Sequence, residues 1–557
     1  MKTILFISML ALLIPLAGWS QWSDDYLANT PIATGNGEQT LPKIAVDTQG
    51  NLFITFFNTA SGNYDVSAAY LDKNGFPLWP GNLTVSHNPQ DTWISDYDTK
   101  IDQDGNCLTV FSDIRNGNDD PFIYKISPSG AFLWGNNGIN VSDDPRYEYS
   151  PVLCVTSENN AVVAFIRTND AGQNPMVLVT FDEDGNRLIP GGELVLTPEE
   201  AYSYANPYLV PSTDGDFIVV FSRNYGSGLY PNRYLYAQRY HIDGTPAWGN
   251  DAVLSNLGGV SSWAIMRVIP DGYGGVIAGW YDDRDNNMVY SSFVQYIGHD
   301  GVAVYEPNGV ELSLKAGDQK FCPAVAGMDA TGHLYAVWEE TDYNQNYAGL
   351  YAQKLDGAGE RLWTDNGKMI LSIGTTFADL IGADLANDTV VVVYDNYGLN
   401  AVDDRILATG IDKNGDFTWT PAQVMMSDVP KQVIHPVMSS FYDHQWVVAW
   451  ADTRNDNGDI YAQNLNNDGT IGISTIGIPE TQAVGFSIYP NPATNVVTID
   501  QNGGDRITVL DYVGHKVLEQ PCTGEHFMLD ISSLKPGFYM VRVTGQGRNE
   551  ARVMVVR

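Results

Sequence analysis

IDKNGDFTW, residues 411–419, carries the device that decides the fold: the end of an apolar strand, a Gly-containing turn and a hydrophobic landing residue, often Trp. Seven further segments share the pattern. They are LDKNGFPLW (71–79), ISPSGAFLW (126–134), FDEDGNRLI (181–189), YHIDGTPAW (240–248), IGHDGVAVY (297–305), LDGAGERLW (355–363) and LNNDGTIGI (465–473). Subtracting successive turn glycines, Gly75, Gly130, Gly185, Gly244, Gly301, Gly359, Gly415 and Gly469, gives a period of 54 to 59 residues. A fixed period of this length marks a repeat architecture.

Each repeat also holds an earlier pair of strands joined by an Asp/Asn-Gly turn, as in IAVDTQGNLFITFF, TKIDQDGNCLTVF and YLVPSTDGDFIVVF. Such turns tolerate the positive φ of two-residue hairpins, and the flanking Val, Ile, Phe and Trp suit half-buried strands. A short fourth strand follows the landing residue, as in NLTVS (82–86), AVLS (252–255) and VMMS (424–427). Four antiparallel strands per repeat, with no helical periodicity, predict an all-β protein: a β-propeller of about eight four-stranded blades, with seven as the alternative count.

The expected organisation is a signal peptide over 1–20, a propeller over 21–474, a linker over 475–485 and a small β-sandwich over 486–557. Repeats begin near 41, 93, 150, 205, 262, 321, 378 and 435. Residues 28–37 read as an orphan fourth strand that would close the ring against the last blade and so remove exposed edges. The start, MKTILFISMLALLIPLAGWS, has Lys2, an apolar run and small residues suited to cleavage before Gln21. That run is short for a membrane span, and no later stretch reaches about 20 uninterrupted apolar residues, so no transmembrane segment is expected.

A formal charge of −36, from 66 acidic and 30 basic side chains, argues against nucleic-acid partners, whose phosphates would meet a repulsive field. Four cysteines without C-x-x-C spacing make no disulfide scaffold, and the eight histidines lack metal-ligand spacing. No cofactor is firmly implied. Calcium is the metal that the acidic loops would suit, with Asp452, Asp456 and Asp459 as its candidate ligands.

If the strands run outward from the axis, the loops between the second and third strands share one face with the loops between blades, and recognition is expected there. SDIRNGNDD, YDDRDNN and ADTRNDNGD place Arg115, Arg284 and Arg454 at matching positions, whereas the sixth and seventh repeats lack the arginine and read EETDYN and DNYGLN. A repeated Asp–Arg pair is read first as a local brace and second as a ligand contact. Trp93, Tyr149, Tyr204 and Trp263 are the aromatic candidates for stacking on a sugar, with blade-to-blade packing as their structural reading. Hydrolase, zinc-peptidase and nucleotide-binding glycine motifs are absent.

FSIYPNPATNVVTID, ITVLDYVGHKVLEQ, FMLDISSLKPGFYMVRVTG and the closing EARVMVVR resemble the C-terminal sorting domain of type IX secretion cargo in Bacteroidetes. The resemblance rests on Tyr489, Pro490, Asn491 and Pro492, then Asp511 and Gly514, then Gly537 and Tyr539. It implies export by the type IX machinery and a secreted or surface-attached protein. The repeats themselves resemble, more loosely, uncharacterised propeller arrays of similar Bacteroidetes surface proteins. The Asp-x-x-Gly-x-x-x-Trp segments resemble sialidase Asp-boxes distantly, but the spacing differs and recurrence in every repeat marks them as a fold element. The expected function is binding or adhesion to a glycan or a surface protein. The alternative is a polysaccharide-degrading glycosidase or lyase with its site in the central funnel. A catalytic funnel should break the repeat symmetry with unlike ionisable residues, whereas a binder keeps a ring of like ones.

Overall fold

The computed structural model describes residues 21–90, 97–170, 172–199, 202–226, 232–262, 264–398, 404–429, 431–473, 487–500, 505–511, 515–522, 524, 526–545 and 548–557. The chain forms two compact units, residues 1–474 and 475–557.

Eight four-stranded antiparallel sheets succeed one another among the described residues of the first unit. In chain order they occupy 39–86, 97–140, 148–196, 202–255, 267–311, 319–371, 377–427 and 433–466, here blades 1 to 8. Blade 8 takes its fourth strand from the other end of the unit: Thr30–Ala33 pairs antiparallel with Asp459–Asn466, Thr30 opposite Ala462. The first strand of each blade lies against the first strand of the next, and that of blade 8 against that of blade 1. The first strands therefore line a central axis.

Strand after strand is buried along its whole length, as in Asp65–Leu71 and Ala161–Arg167, because both faces of each blade meet a neighbouring blade. The apolar side chains accordingly gather into clusters between consecutive blades. Phe53, Tyr97 and Phe111 join blades 1 and 2, and Trp22, Phe56, Val447 and Ile460 join blade 8 to blade 1.

The landing residue turns out to be the clasp between blades. Trp79, Trp134, Trp248 and Trp419 each donate their indole N–H to a carbonyl in the following blade's Gly-containing turn, at 2.8, 3.0, 2.8 and 3.1 Å. The ring lies on that turn's glycine. At Gly301, with φ of 78°, a Cβ would stand 2.7 Å from the Trp248 ring, so both the backbone conformation and the close approach require glycine there. Blade 8 lacks a tryptophan at Ile473, and Trp22 acts in its place. Its indole donates to the Lys73 carbonyl at 2.8 Å and its ring covers Gly75.

The second unit is a β-sandwich. A three-stranded sheet (Ser487–Tyr489, Val496–Asp500, His526–Asp530) faces a four-stranded one (Lys516–Pro521, Arg506–Leu510, Gly537–Gly545, Arg548–Val556). Val497, Ile499 and Leu529 from one sheet and Ile507, Val509 and Val541 from the other fill the space between.

Candidate ligand site at the mouth of the axis

Each sequence-predicted arginine stays within its own blade. Arg115 grips Asp113 through Nε and Nη2, donates from Nη1 to the Asn137 carbonyl at 2.8 Å and lies 3.6 Å above the Phe122 ring. Arg284 holds Asp282 and the Asn308 carbonyl over Phe293, and Arg454 holds Asp452 and the Ala28 carbonyl over Tyr461. The guanidinium thus ties the second strand's end to the third and fourth strands, and its stacking on a ring adds a cation–π attraction. In blade 6 a lysine does the same work: Lys315 reaches Glu340 at 2.6 Å, and Trp338 donates to the same carboxylate just as Trp280 and Trp450 do to Asp282 and Asp452.

The three acidic candidates have separate engagements. Asp452 serves Arg454 and Trp450, Asp456 accepts the Gly458 N–H, and Asp459 accepts the Asn455 amide. Among the described residues no three His, Cys, Asp or Glu side chains come together as a metal-holding group. Tyr204 is buried edge-on to Tyr202 and Phe221, and half-buried Tyr149 lies beside Tyr147 with its hydroxyl accepting from Asn174. Trp93 and Trp263 lie outside the described residues, as does Gly514 of the tail.

A different set of residues breaks the symmetry. One position after the buried aromatic near the end of the second strand, six blades carry Phe57, Ser112, Ile166, Ser222, Tyr281 and Ala451, but blades 6 and 7 carry Glu339 and Asp395. Directly across the strand pair from Asp395 stands Asp379, and next to that pair Phe377 faces Tyr397. Phe377 and Tyr397 are stacked, with ring centroids 5.3 Å apart and planes 14° apart, and the Tyr397 hydroxyl donates to Asp379 at 3.0 Å. Glu339 accepts the Leu380 N–H at 2.7 Å, and Arg267 reaches in from blade 5 to the Leu380 carbonyl at 3.3 Å.

Asp379, Asp395, Leu380 and Arg267 line a cavity of about 800 Å³ at the axis together with Tyr208, His435 and Ser440 among others, whereas Glu339, Phe377 and Tyr397 are not part of its lining. That volume suits a small ligand or a few sugar units. Desolvation, helped by the Asp379 charge, pushes the Glu339 carboxyl up to about 8. Desolvation and then the charges of Asp404 and Asp379 push Asp395 up to about 8 as well. Asp379, exposed towards the cavity, is also raised by desolvation, against the Tyr397 hydrogen bond. Burial and the Lys43 charge hold the His435 imidazole below its usual value. Near neutral pH Glu339 and Asp395 therefore keep their protons, and a protonated carboxyl can both donate to and accept from hydroxyl groups.

The residues that shape the mouth escaped the sequence reading, although two signals were present. EETDYN and DNYGLN begin with Glu339 and Asp395, and X-Pro pairs recur at one place in the first strands: Leu41-Pro42, Ser150-Pro151, Asn206-Pro207, Cys322-Pro323 and His435-Pro436. In each the residue before proline has positive φ, from 48° to 54°, and the strand register slips there. These are β-bulges, which re-aim side chains at a sheet edge.

In the second unit the tail motif residues support the sandwich. Asn491 accepts the Val555 N–H at 2.8 Å, the Tyr489 hydroxyl donates to Asp500 at 2.7 Å, Asp511 accepts the His515 N–H at 2.8 Å, and the Tyr539 hydroxyl donates to the Lys535 carbonyl at 2.9 Å. Residues 487–557 match the family model of the secretion system C-terminal sorting domain. This tail is a type IX sorting domain. The chain is accordingly cargo of that system, exported to the cell surface or the extracellular space. Among the described residues no helix is long and apolar enough to cross a membrane.

No curated protein matches the chain. Among solved structures it is similar to a family 25 polysaccharide lyase, an ulvan lyase bound to a GlcA–Rha3S unit (10% identity, 80% of this chain and 96% of that one, TM-score 0.41). It is also similar to a protein of unknown function from Dyadobacter fermentans (11%, 56% and 92%, TM-score 0.33) and to an α-L-arabinanase from Penicillium chrysogenum complexed with arabinobiose (12%, 59% and 98%, TM-score 0.30).

Proposed function

We propose that this exported protein is a glycan-binding module of the cell surface, with its ligand held at the axial mouth over blades 6 and 7. One observation carries the reading. Glu339 and Asp395 occupy equivalent positions in adjacent blades, where the other six blades have no carboxylate; Asp395 lines the cavity beside Asp379, and Glu339 feels the Asp379 charge. A repeat that carries Ser, Ala or an apolar side chain elsewhere gains nothing structural from two costly desolvated carboxyls, so their presence favours a ligand role. The stacked Phe377–Tyr397 pair lies next to Asp379, outside the cavity lining, where an extended sugar chain leaving the cavity would meet its apolar surface.

Binding of the full chain to a panel of surface and algal polysaccharides tests the reading. Asp379→Asn should weaken binding about tenfold, whereas Arg115→Lys, in blade 2, should leave it unchanged. Equal loss in both variants, or binding to no glycan, would refute it.

A second reading has its own support, because a break of the repeat symmetry by unlike ionisable residues is the mark expected of a catalytic funnel. Glu339 and Asp395 hold protons near neutral pH next to Asp379, and a carboxyl kept protonated by burial is the proton donor that glycosidic hydrolysis needs. Release of reducing ends from whichever polysaccharide binds, lost in Glu339→Gln or Asp395→Asn with binding retained, would establish it.

A further inference from the structure

We infer that the sugar recognised at this mouth carries a free amino group, so that its ammonium sits between Asp379 and Asp395, on the cavity wall. The inference rests on the glycan reading above and narrows its ligand class.

Cross-strand pairing supplies the first argument. Asp379 and Asp395 are directly opposite across the strand pair, where like charges repel and are normally avoided. Every other described position equivalent to Asp379 is uncharged: Thr40, Tyr149, Ala205, Phe321 and Ile434. The second argument is an orphaned acceptor. Asp395 is 6% exposed, lines the cavity, and its Oδ1 has no hydrogen-bond partner in the protein. A buried carboxylate oxygen left unmatched costs free energy that a cationic donor would recover through a charge-assisted hydrogen bond.

The charges around Asp395 are unevenly matched. Asp404 and Arg405 flank it from the third strand of blade 7, Asp379 and the Tyr397 hydroxyl from its own hairpin, Glu339 and Cys322 from blade 6, and Arg267 and His435 from blades 5 and 8. Arg267 spends a guanidinium N–H on the Leu380 carbonyl, and Arg405 pairs at 2.8 Å with Asp428. The cluster keeps an excess of acid, which it tolerates by retaining protons; an ammonium ion would displace them. The aromatic pair Phe377–Tyr397 next to Asp379, outside the cavity lining, would meet the sugar chain as it leaves the cavity, which separates an amino sugar from a bare amine.

Titration calorimetry of the full chain with a glucosamine hexamer and with its fully N-acetylated counterpart, at pH 6.5 in two buffers of different ionisation heat, decides the matter. The free-amine oligomer should bind about tenfold more tightly, with proton release seen as a buffer-dependent heat. Asp395→Asn should remove about tenfold of that affinity and the proton release while leaving the acetylated oligomer unchanged, and the exposed Asp379→Asn provides a second variant should the first fold poorly. Equal or tighter binding of the acetylated oligomer overturns the amino-sugar inference and leaves the glycan reading intact. Failure of both oligomers, with the uncharged glycans of the panel bound normally, overturns the inference alone. Failure of every glycan overturns both.

Discussion

Asp395 keeps its place by keeping its proton. Its carboxyl is raised from an ordinary value near 4 to about 8, so across that window the folded chain binds more protons than the unfolded one. Stability must then fall as pH rises from about 5 to 9, and Glu339 adds to the same slope. Asp395→Asn should stabilise the protein at pH 8 by on the order of 1–3 kcal/mol, seen as a higher melting temperature, and change little at pH 5. Thermal melts of both proteins at the two pH values check this, and an unaltered melting point at pH 8 contradicts it. Arg167 poses the converse case. Its guanidinium is 2% exposed and holds Glu148, Glu193 and the Ser142 hydroxyl. Burial already lifts Glu148 to about 7 despite that partner. Arg167→Met should therefore cost about 3–5 kcal/mol at pH 8 by stranding the carboxylate, with part of the loss restored at pH 5 as Glu148 takes a proton. Urea unfolding at the two pH values measures the difference. No local pattern marks Arg167 in the sequence, because the residues that close around it come from separate segments of blade 3.

At the scale of the element, the Asp-x-x-Gly turn was legible because it is local: Asp412 accepts the N–H groups of Asn414 and Asp416 within five residues of chain. What the turn receives was not legible, since the Trp363 or Trp419 ring arrives from the preceding repeat, about 50 residues away. The same limit hid the axial mouth. Asp379 meets Asp395 only because the first strand of blade 7 slips register between Leu380 and Gly382, and a one-residue bulge leaves no periodic trace in a strand. The clasp at Trp22 gives this level its prediction. Trp22 is 1% exposed and replaces the landing residue that blade 8 lacks. Trp22→Ala should cost about 3–5 kcal/mol, as large-to-small changes at buried aromatics do. Hydrogen exchange should rise first in Thr30–Ala33 and Asp459–Asn466, the strands joined near it, while Ala161–Arg167 in blade 3 stays protected. Uniform acceleration, or none, would mean that the clasp does not hold this end of the array.

Over the whole molecule, two sets of instructions occupy different units. The first unit completes its sheets with its own two ends, Thr30–Ala33 against Asp459–Asn466, and its apolar clusters run between its own blades from first to last. The sandwich has a separate core drawn from both of its sheets. Each unit has a core of its own, so removal of the tail should leave the first unit folded. It should also abolish the address that the sorting domain carries. A chain ending at Ile473, expressed in its native host, is therefore expected to retain the melting transition of the first unit and its glycan binding while failing to reach the cell surface or the medium. Fractionation of cells, together with a melt of the purified truncated chain, separates the alternatives. Surface display without residues 487–557 would place the export signal elsewhere, and loss of the melting transition would make the tail part of the folding unit. The strong acidity of the chain, −36 overall, keeps such a truncated product soluble enough for both measurements.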